Sequence, residues 1–196
     1  PGANENDEFI PVTAHGVKLL SMGLLINESD PVAVRGPLAT RYVQQFLRNV
    51  AWGDVDFLIL DLPPGTGDIQ LTIVQTAELD GVVVVTTPQE VALIDARKAI
   101  GLFERVETPI LGIIENMSYF QCPSDGKIYH IFGEGGGERE AAKLGVPLVG
   151  KIPLDISTRS GGDEGRPVAL EDPGQNPVSA AFRQVAEQCA RVVLDR

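Results

Sequence analysis

Cys122 and Cys189 are the only cysteines in 196 residues, far too few for the disulfide framework that holds small secreted domains together. The sequence therefore points to a reducing compartment, the cytoplasm. Basic charge is scarce as well: 16 Lys and Arg stand against 27 Asp and Glu, a formal net charge of -11. An acidic surface repels phosphate backbones and anionic lipid headgroups, which argues against nucleic acid and membrane as partners. The longest apolar run lies around residues 81–85, well short of the roughly 20 residues a membrane helix requires. No basic-then-apolar N-terminus marks a signal peptide. The chain opens on Pro1-Gly2 rather than Met, as expected of an interior point in a longer protein. It also has no glycine-spaced string ending in Gly-Lys-Ser/Thr, the element that cradles nucleotide phosphates.

What is present is enough for one well-buried core: 43% of residues are hydrophobic and 22% charged, and the length suits a single domain. Short β-rich apolar runs alternate with helical periodicity, the pattern of βα units around a parallel sheet covered on both faces. Residues 55–60 are the clearest strand, followed by 81–86, 110–114 and 147–152. Helices are expected over 37–50, 68–78, 89–105, 138–144 and 178–193, the first with Pro in its first turn. In the last helix Val178, Phe182, Val185, Cys189 and Val193 recur at three- and four-residue steps and should face the sheet. Residues 159–177, rich in Gly, Pro and Asp, read as a long loop, and "VKLLSMGLLI" as an edge strand or hairpin.

Ligands of open α/β sheets sit at the carboxyl ends of the strands, so the residues just after each apolar run matter most. After the first comes Asp61 and then "PPGTGD". A carboxylate there can orient water around Mg2+, and the glycines let backbone N–H groups approach a terminal phosphate. The same aspartate could equally cap the next helix. Asn116, after another strand, reads on its own as a strand-end turn residue. The dense glycine cluster "GEGGGERE" has no Lys and is flanked by Glu134 and Glu138, so it reads as a flexible turn into a helix rather than an anion site.

Taken together, "WGDVDFLILDLPPGTGDIQLT", "GVVVVTTPQEVALIDARKAI", "PILGIIENMSYFQCP", "HIFGEGGG", "LGVPLVGKIPLDISTRSGGDEGRPV" and "AFRQVAEQ" resemble the Mrp/ApbC family of iron-sulfur cluster carrier ATPases. These are relatives of the MinD and ParA deviant P-loop proteins. The similarity runs in consistent order from about Pro11 to the C-terminus. It implies a mostly parallel α/β sheet with helices on both faces, a MinD-like P-loop NTPase fold. Residues 1–196 would form a single nucleotide-binding domain, the C-terminal two-thirds of the family domain, with the phosphate loop on a segment preceding Pro1.

The resemblance also implies roles for individual residues. Asp61 matches the Mg2+-associated aspartate, and Gly65, Thr66 and Gly67 match the turn that senses the γ-phosphate. Asn116 matches the residue that reads adenine, and Pro153 and Asp155 the loop packed around the base. Cys122 matches the first cysteine of a C-P-x-C motif that, from two chains of a homodimer, holds a [4Fe-4S] cluster for apo iron-sulfur proteins. Here the chain departs from the family, because Asp125 stands where the second thiol would be. Asp125 or His130 could complete a ligand set in principle, but a carboxylate suits iron-sulfur cores poorly, and Cys189 reads as a structural thiol. The chain by itself is expected not to hydrolyse ATP. Two other readings stay open: a MinD/ParA-like partitioning ATPase, and a non-catalytic scaffold paralogue.

Overall fold

The computed structural model describes residues 2–25, 36–65 and 67–195. The chain divides into two compact units, one ending at Glu78 and the other beginning at Leu79.

In the first unit, β1 (Val12–Ala14) and β2 (Val17–Leu19) form an antiparallel hairpin. Its two turn residues, His15 and Gly16, both take positive φ, 50° and 79°. That conformation matches the twist of the flanking strands and falls most cheaply on glycine. The hairpin reading of "VKLLSMGLLI" thus holds for Val17–Leu19, and a 3-10 turn over Met22–Leu24 follows. Helix α1 (Gly36–Arg48) carries Pro37 in its first turn, where a missing N–H costs nothing. It packs on α2 (Asp68–Thr76). Phe46 of α1 meets Phe9 edge-on, with ring centroids 6.5 Å apart.

Residues 55–60, expected as the clearest strand, form none. An apolar run becomes a strand only where a neighbour offers backbone donors and acceptors in register. No described residue pairs with this run, and Ile59 is 87% exposed. The hydrophobic pattern is present; the ladder is not.

The second unit is built on three parallel strands in the order β3 (Val82–Thr86), β4 (Ile110–Glu115), β7 (Leu148–Lys151). Helix α3 (Glu90–Arg105) links the first two, and α4 (Gly136–Leu144) precedes the third. Period-two alternation along β4 feeds two cores. Ile113, fully buried, packs with Val84, Ala96, Ile100 and Ala141 beneath α3 and α4. Ile114 packs instead with Val149, Ile152 and Val185 beneath α6 (Pro177–Leu194). The expected stripe of the last helix does face this side, with Phe182 and Cys189 beside Val185. Gly150 makes the approach possible: a Cβ there would lie 2.6 Å from Val185 Cγ2.

Two further expectations are corrected. Residues 159–177 are not one long loop, because α5 (Ile156–Asp163) runs into them and a 3-10 turn covers Val168–Leu170. The reason lies just upstream, where Asp155 caps α5 and anchors a helix whose internal glycines hid it. The glycine cluster is packed rather than loose: Gly136 and Gly137 are buried and already helical, and a Cβ on Gly136 would collide with the Pro88 carbonyl. Finally, a small antiparallel hairpin, β5 (Phe120–Gln121) with β6 (Ile128–Tyr129), interrupts the β4-to-α4 crossover. Among the described residues no helix is long and apolar enough to cross a membrane.

Ile113→Ala should cost about 2–5 kcal/mol in denaturant unfolding of this chain, because a fully buried side chain leaves a cavity. Val85→Ala, on the neighbouring strand but 59% exposed, should stay within about 0.5 kcal/mol.

Candidate functional site

The carboxyl ends of β3, β4 and β7 are laced together by main-chain hydrogen bonds. Asn116 N–H donates to the Thr86 carbonyl at 2.7 Å, and Ile152 N–H to the Glu115 carbonyl at 2.9 Å. Ser118 N–H returns to the Ile152 carbonyl at 3.0 Å, and Leu154 N–H to that of Tyr119 at 2.7 Å. The expected base-binding residues Asn116, Pro153 and Asp155 are thereby brought into one cluster of strand-end loops.

Within it, Asn116 Oδ1 accepts from Met117 N–H at 2.9 Å, while its amide N–H2 group has no partner among the described residues. Pro153 is buried. The Asp155 carboxylate is already engaged: Oδ2 accepts from Thr158 N–H at 2.7 Å, from Thr158 Oγ1 at 3.1 Å and from the Ser157 hydroxyl. Burial pushes the Asp155 pKa up, and the hydrogen bonds from Ser157 and Thr158 more than offset it, so the carboxyl stays below its ordinary value. At the end of β3, Gln89 Oε1 is buried with no donor, the one such side-chain atom among the described residues.

Asp61, Gly65 and Gly67 belong to the first unit, and Thr66 lies outside the described residues. The Asp61 carboxylate is exposed and accepts no hydrogen bond from any described residue, so it is open to a hydrated cation. Gly65 takes φ 108°. The turn after Asp61 is pinned by a residue that the motif did not single out: Gln70, 4% exposed, accepts from Gly67 N–H at 3.0 Å and donates to the Pro63 carbonyl at 2.8 Å. Its signal was available, since a Gln three residues into a helix commonly reaches back to the cap.

Cys122 sits at the mouth of the β5–β6 hairpin. Its N–H donates to the Lys127 carbonyl and its carbonyl accepts from Gly126 N–H, at 2.9 and 2.8 Å. The sulfur lies 3.0 Å from Ser124 Oγ. Hydrogen bonds from the Ser124 side chain and then its backbone hold the thiol below its ordinary value, against the raising effect of Asp125. Asp125 itself is taken up by Lys127, whose N–H donates at 3.1 Å and whose ammonium lies 3.4 Å away. His130 Nε2 is 3.6 Å from a Glu134 carboxylate oxygen. Among the described residues no three His, Cys, Asp or Glu side chains converge on one point as a metal site. Cys189 lies on α6 and packs against the core that holds Val185, where burial pushes its thiol up. Beside the glycine cluster, Lys151 binds Glu138 at 2.7 Å and Arg139 donates to the Glu134 carbonyl at 2.7 Å. Both cations are thus engaged by the chain itself.

Residues 2–190 match the ParA family model described as NUBPL iron-transfer P-loop NTPase. Among curated relatives, the iron-sulfur protein required for NADH dehydrogenase of Arabidopsis thaliana is 46% identical over 97% of this chain and 61% of its own length. The iron-sulfur cluster carrier protein of Pyrococcus furiosus is 48% identical over 88% of this chain and 58% of its own. The chain thus spans about three-fifths of these relatives. A nucleotide-binding protein of Archaeoglobus fulgidus, solved in complex with ADP, superposes with TM-score 0.70 at 37% identity, covering 84% of this chain and 64% of that one. The cell-division ATPase MinD of Pyrococcus furiosus shares the fold, with TM-score 0.58 at 24% identity over 78% of this chain and 59% of its own. On sequence over nearly its whole length, with the parallel sheet to match, the chain belongs to the ParA family of NUBPL-type iron-transfer P-loop NTPases.

Proposed function

We propose that the protein binds ATP with Mg2+ and carries iron-sulfur clusters to apo-proteins, working as a homodimer in the cytoplasm. The observation that carries the nucleotide half is the Asn116 turn. Its free amide N–H2 group stands where three parallel strands end, bonded through the main chain to the Pro153–Asp155 loop. The ADP complex of the Archaeoglobus relative supports the same reading. In this scheme Asn116 reads the adenine edge and Pro153 packs against the base. Asp155 shapes the loop through its capping bonds.

Asp61 would orient water on Mg2+, while Gly65, in the segment after Asp61 that Gln70 holds through the Pro63 carbonyl and Gly67 N–H, would let the backbone approach the γ-phosphate. Mg2+, when bound, neutralises charge that develops on the transferred phosphoryl group. The Lys that completes such a site is absent from these residues, so turnover belongs to the whole protein and not to this chain alone.

For the cargo, Cys122 is the anchoring thiolate. Two chains would offer two thiolates rather than the four of a complete Cys set, because Asp125 replaces the second cysteine. The cluster is therefore held loosely, which suits delivery. The curated relatives that support this role, an iron-sulfur protein and an iron-sulfur cluster carrier protein, are 46 and 48% identical to the chain. The likeness to MinD, at 24%, bears on fold alone.

In the intact protein, Asp61→Asn should lower Mg2+-dependent phosphate release by about 100-fold or more. Asn116→Ala should chiefly reduce ATP-over-GTP preference, by about tenfold in competition binding. An Asn116→Ala protein with wild-type preference rules out base reading.

Anaerobic reconstitution should give charge-transfer absorbance that Cys122→Ser removes and Cys189→Ser retains. Equal iron and sulfide in the Cys122→Ser protein would remove that residue from the cluster site.

Iodoacetamide should alkylate Cys122 with a pH midpoint below that of an ordinary thiol, because the Ser124 hydrogen bonds favour the thiolate. The midpoint should rise in Ser124→Ala. Cys189, raised by burial, should react only at higher pH.

A further inference from the structure

Glu115 is the last residue of β4 and is fully buried. A carboxylate in that position is tolerated only if its oxygens are met by donors. Both are. Oε1 accepts from the Ser118 hydroxyl at 2.5 Å, and Oε2 from Gly137 N–H at 2.6 Å. The second donor belongs to the first turn of α4, where free N–H groups and the helix dipole favour negative charge. Neither donor is a cation: the hydrogen bonds to this carboxylate come from a hydroxyl and a helix end. Its neighbourhood is shaped to admit it, since a Cβ on Gly137 would stand 3.1 Å from both Glu115 Cβ and Oε2. The last glycine of "GEGGG" is thus small because a carboxylate occupies the space.

Glu115 and Ser118, joined by the first of these bonds, bracket Asn116 and Met117. Ser118 follows Asn116 by two residues, and its N–H is bonded to the Ile152 carbonyl. Between them Met117 takes φ 52°, a left-handed conformation that a residue with a Cβ adopts only when its surroundings hold it there. Main-chain bonds fix Asn116 N–H to Thr86 and the Glu115 carbonyl to Ile152. On the far side of Met117 the side-chain restraint is the Ser118 hydroxyl on Glu115.

We propose that Glu115 is the positioning residue of the base-reading turn: by holding Ser118 and the first turn of α4 together, it fixes the left-handed step at Met117 and so aims the Asn116 amide. The role rests on the nucleotide reading given above. It assigns a purpose to a charged residue at the end of an otherwise apolar strand, and it connects the glycine cluster to the nucleotide site.

The test uses the intact protein, with ATP and GTP affinities measured by competition against a fluorescent nucleotide and folding checked by thermal melting. Glu115→Ala should reduce ATP-over-GTP preference by about tenfold, as Asn116→Ala does, and the double variant should lose no more than either alone, because the two residues act as one unit. Glu115→Gln should rescue the preference to within about twofold of wild type. Its amide oxygen can still accept from Gly137 N–H and its N–H2 can donate to the Ser118 hydroxyl. A merely structural role would not track base preference in this way. Ser118→Ala, which removes one donor and no buried bulk, should reduce preference by about threefold and decides the matter if Glu115→Ala fails to fold. Wild-type preference in a folded Glu115→Ala or in Ser118→Ala, while Asn116→Ala has lost it, overturns the positioning role alone. Wild-type preference in Asn116→Ala overturns the nucleotide reading beneath it.

Discussion

Everything placed in the second unit depends on β4 being buried on both faces at once. Ile113 and Ile114 are sequence neighbours, yet the pleat sends one under α3 and α4 and the other under α6. Burying each such aliphatic side chain is worth about 1.5–3 kcal/mol, and a one-residue slip would exchange the two sets. Register is therefore held from both sides. With the register fixed, the parallel ladder brings Thr86, Glu115 and Lys151 to one end of the sheet, and the loops that follow them become neighbours.

Two carboxylates are buried near that end, and they are satisfied in different ways. Glu140, 3% exposed, is gripped by the Arg97 guanidinium through two hydrogen bonds of 2.7 Å. That grip holds its pKa below the ordinary value despite burial. It ties α4 to α3, and Glu90 at the start of α3 joins from the exposed side at 2.7 Å. Glu115 is gripped by no guanidinium and leans on a hydroxyl and a helix N-terminus. The first arrangement fastens two helices; the second sits beside the residue that a nucleotide would meet.

The cysteine hairpin follows a different logic. Cys122 opens the loop that joins a two-residue ladder, shaped by backbone bonds to Gly126 and Lys127. Its thiol is polarised by Ser124. The carboxylate that replaces the second thiol is not left idle, since Lys127 holds it. Within this loop the thiol and the carboxylate thus each have a partner of their own.

The sequence alone determined those features written locally. Apolar runs with flanking polar ends located β3, β4 and β7, three- and four-residue steps located the face of α6, and motif strings were enough to name the family. It misled where a pattern needs a partner to become structure. Residues 55–60 have every property of a strand except a described neighbour to pair with, and ladder bonds are made between segments. Helix α5 was hidden because its glycines outweighed, in any local reading, the capping aspartate before it. Only the tertiary structure decided that the glycine cluster is packed, that Gln70 pins the turn after Asp61, and that Glu115 is a junction. The reason is physical: a buried polar side chain is defined by the donors it meets, and the Gly137 N–H that meets Glu115 lies 22 residues away along the chain.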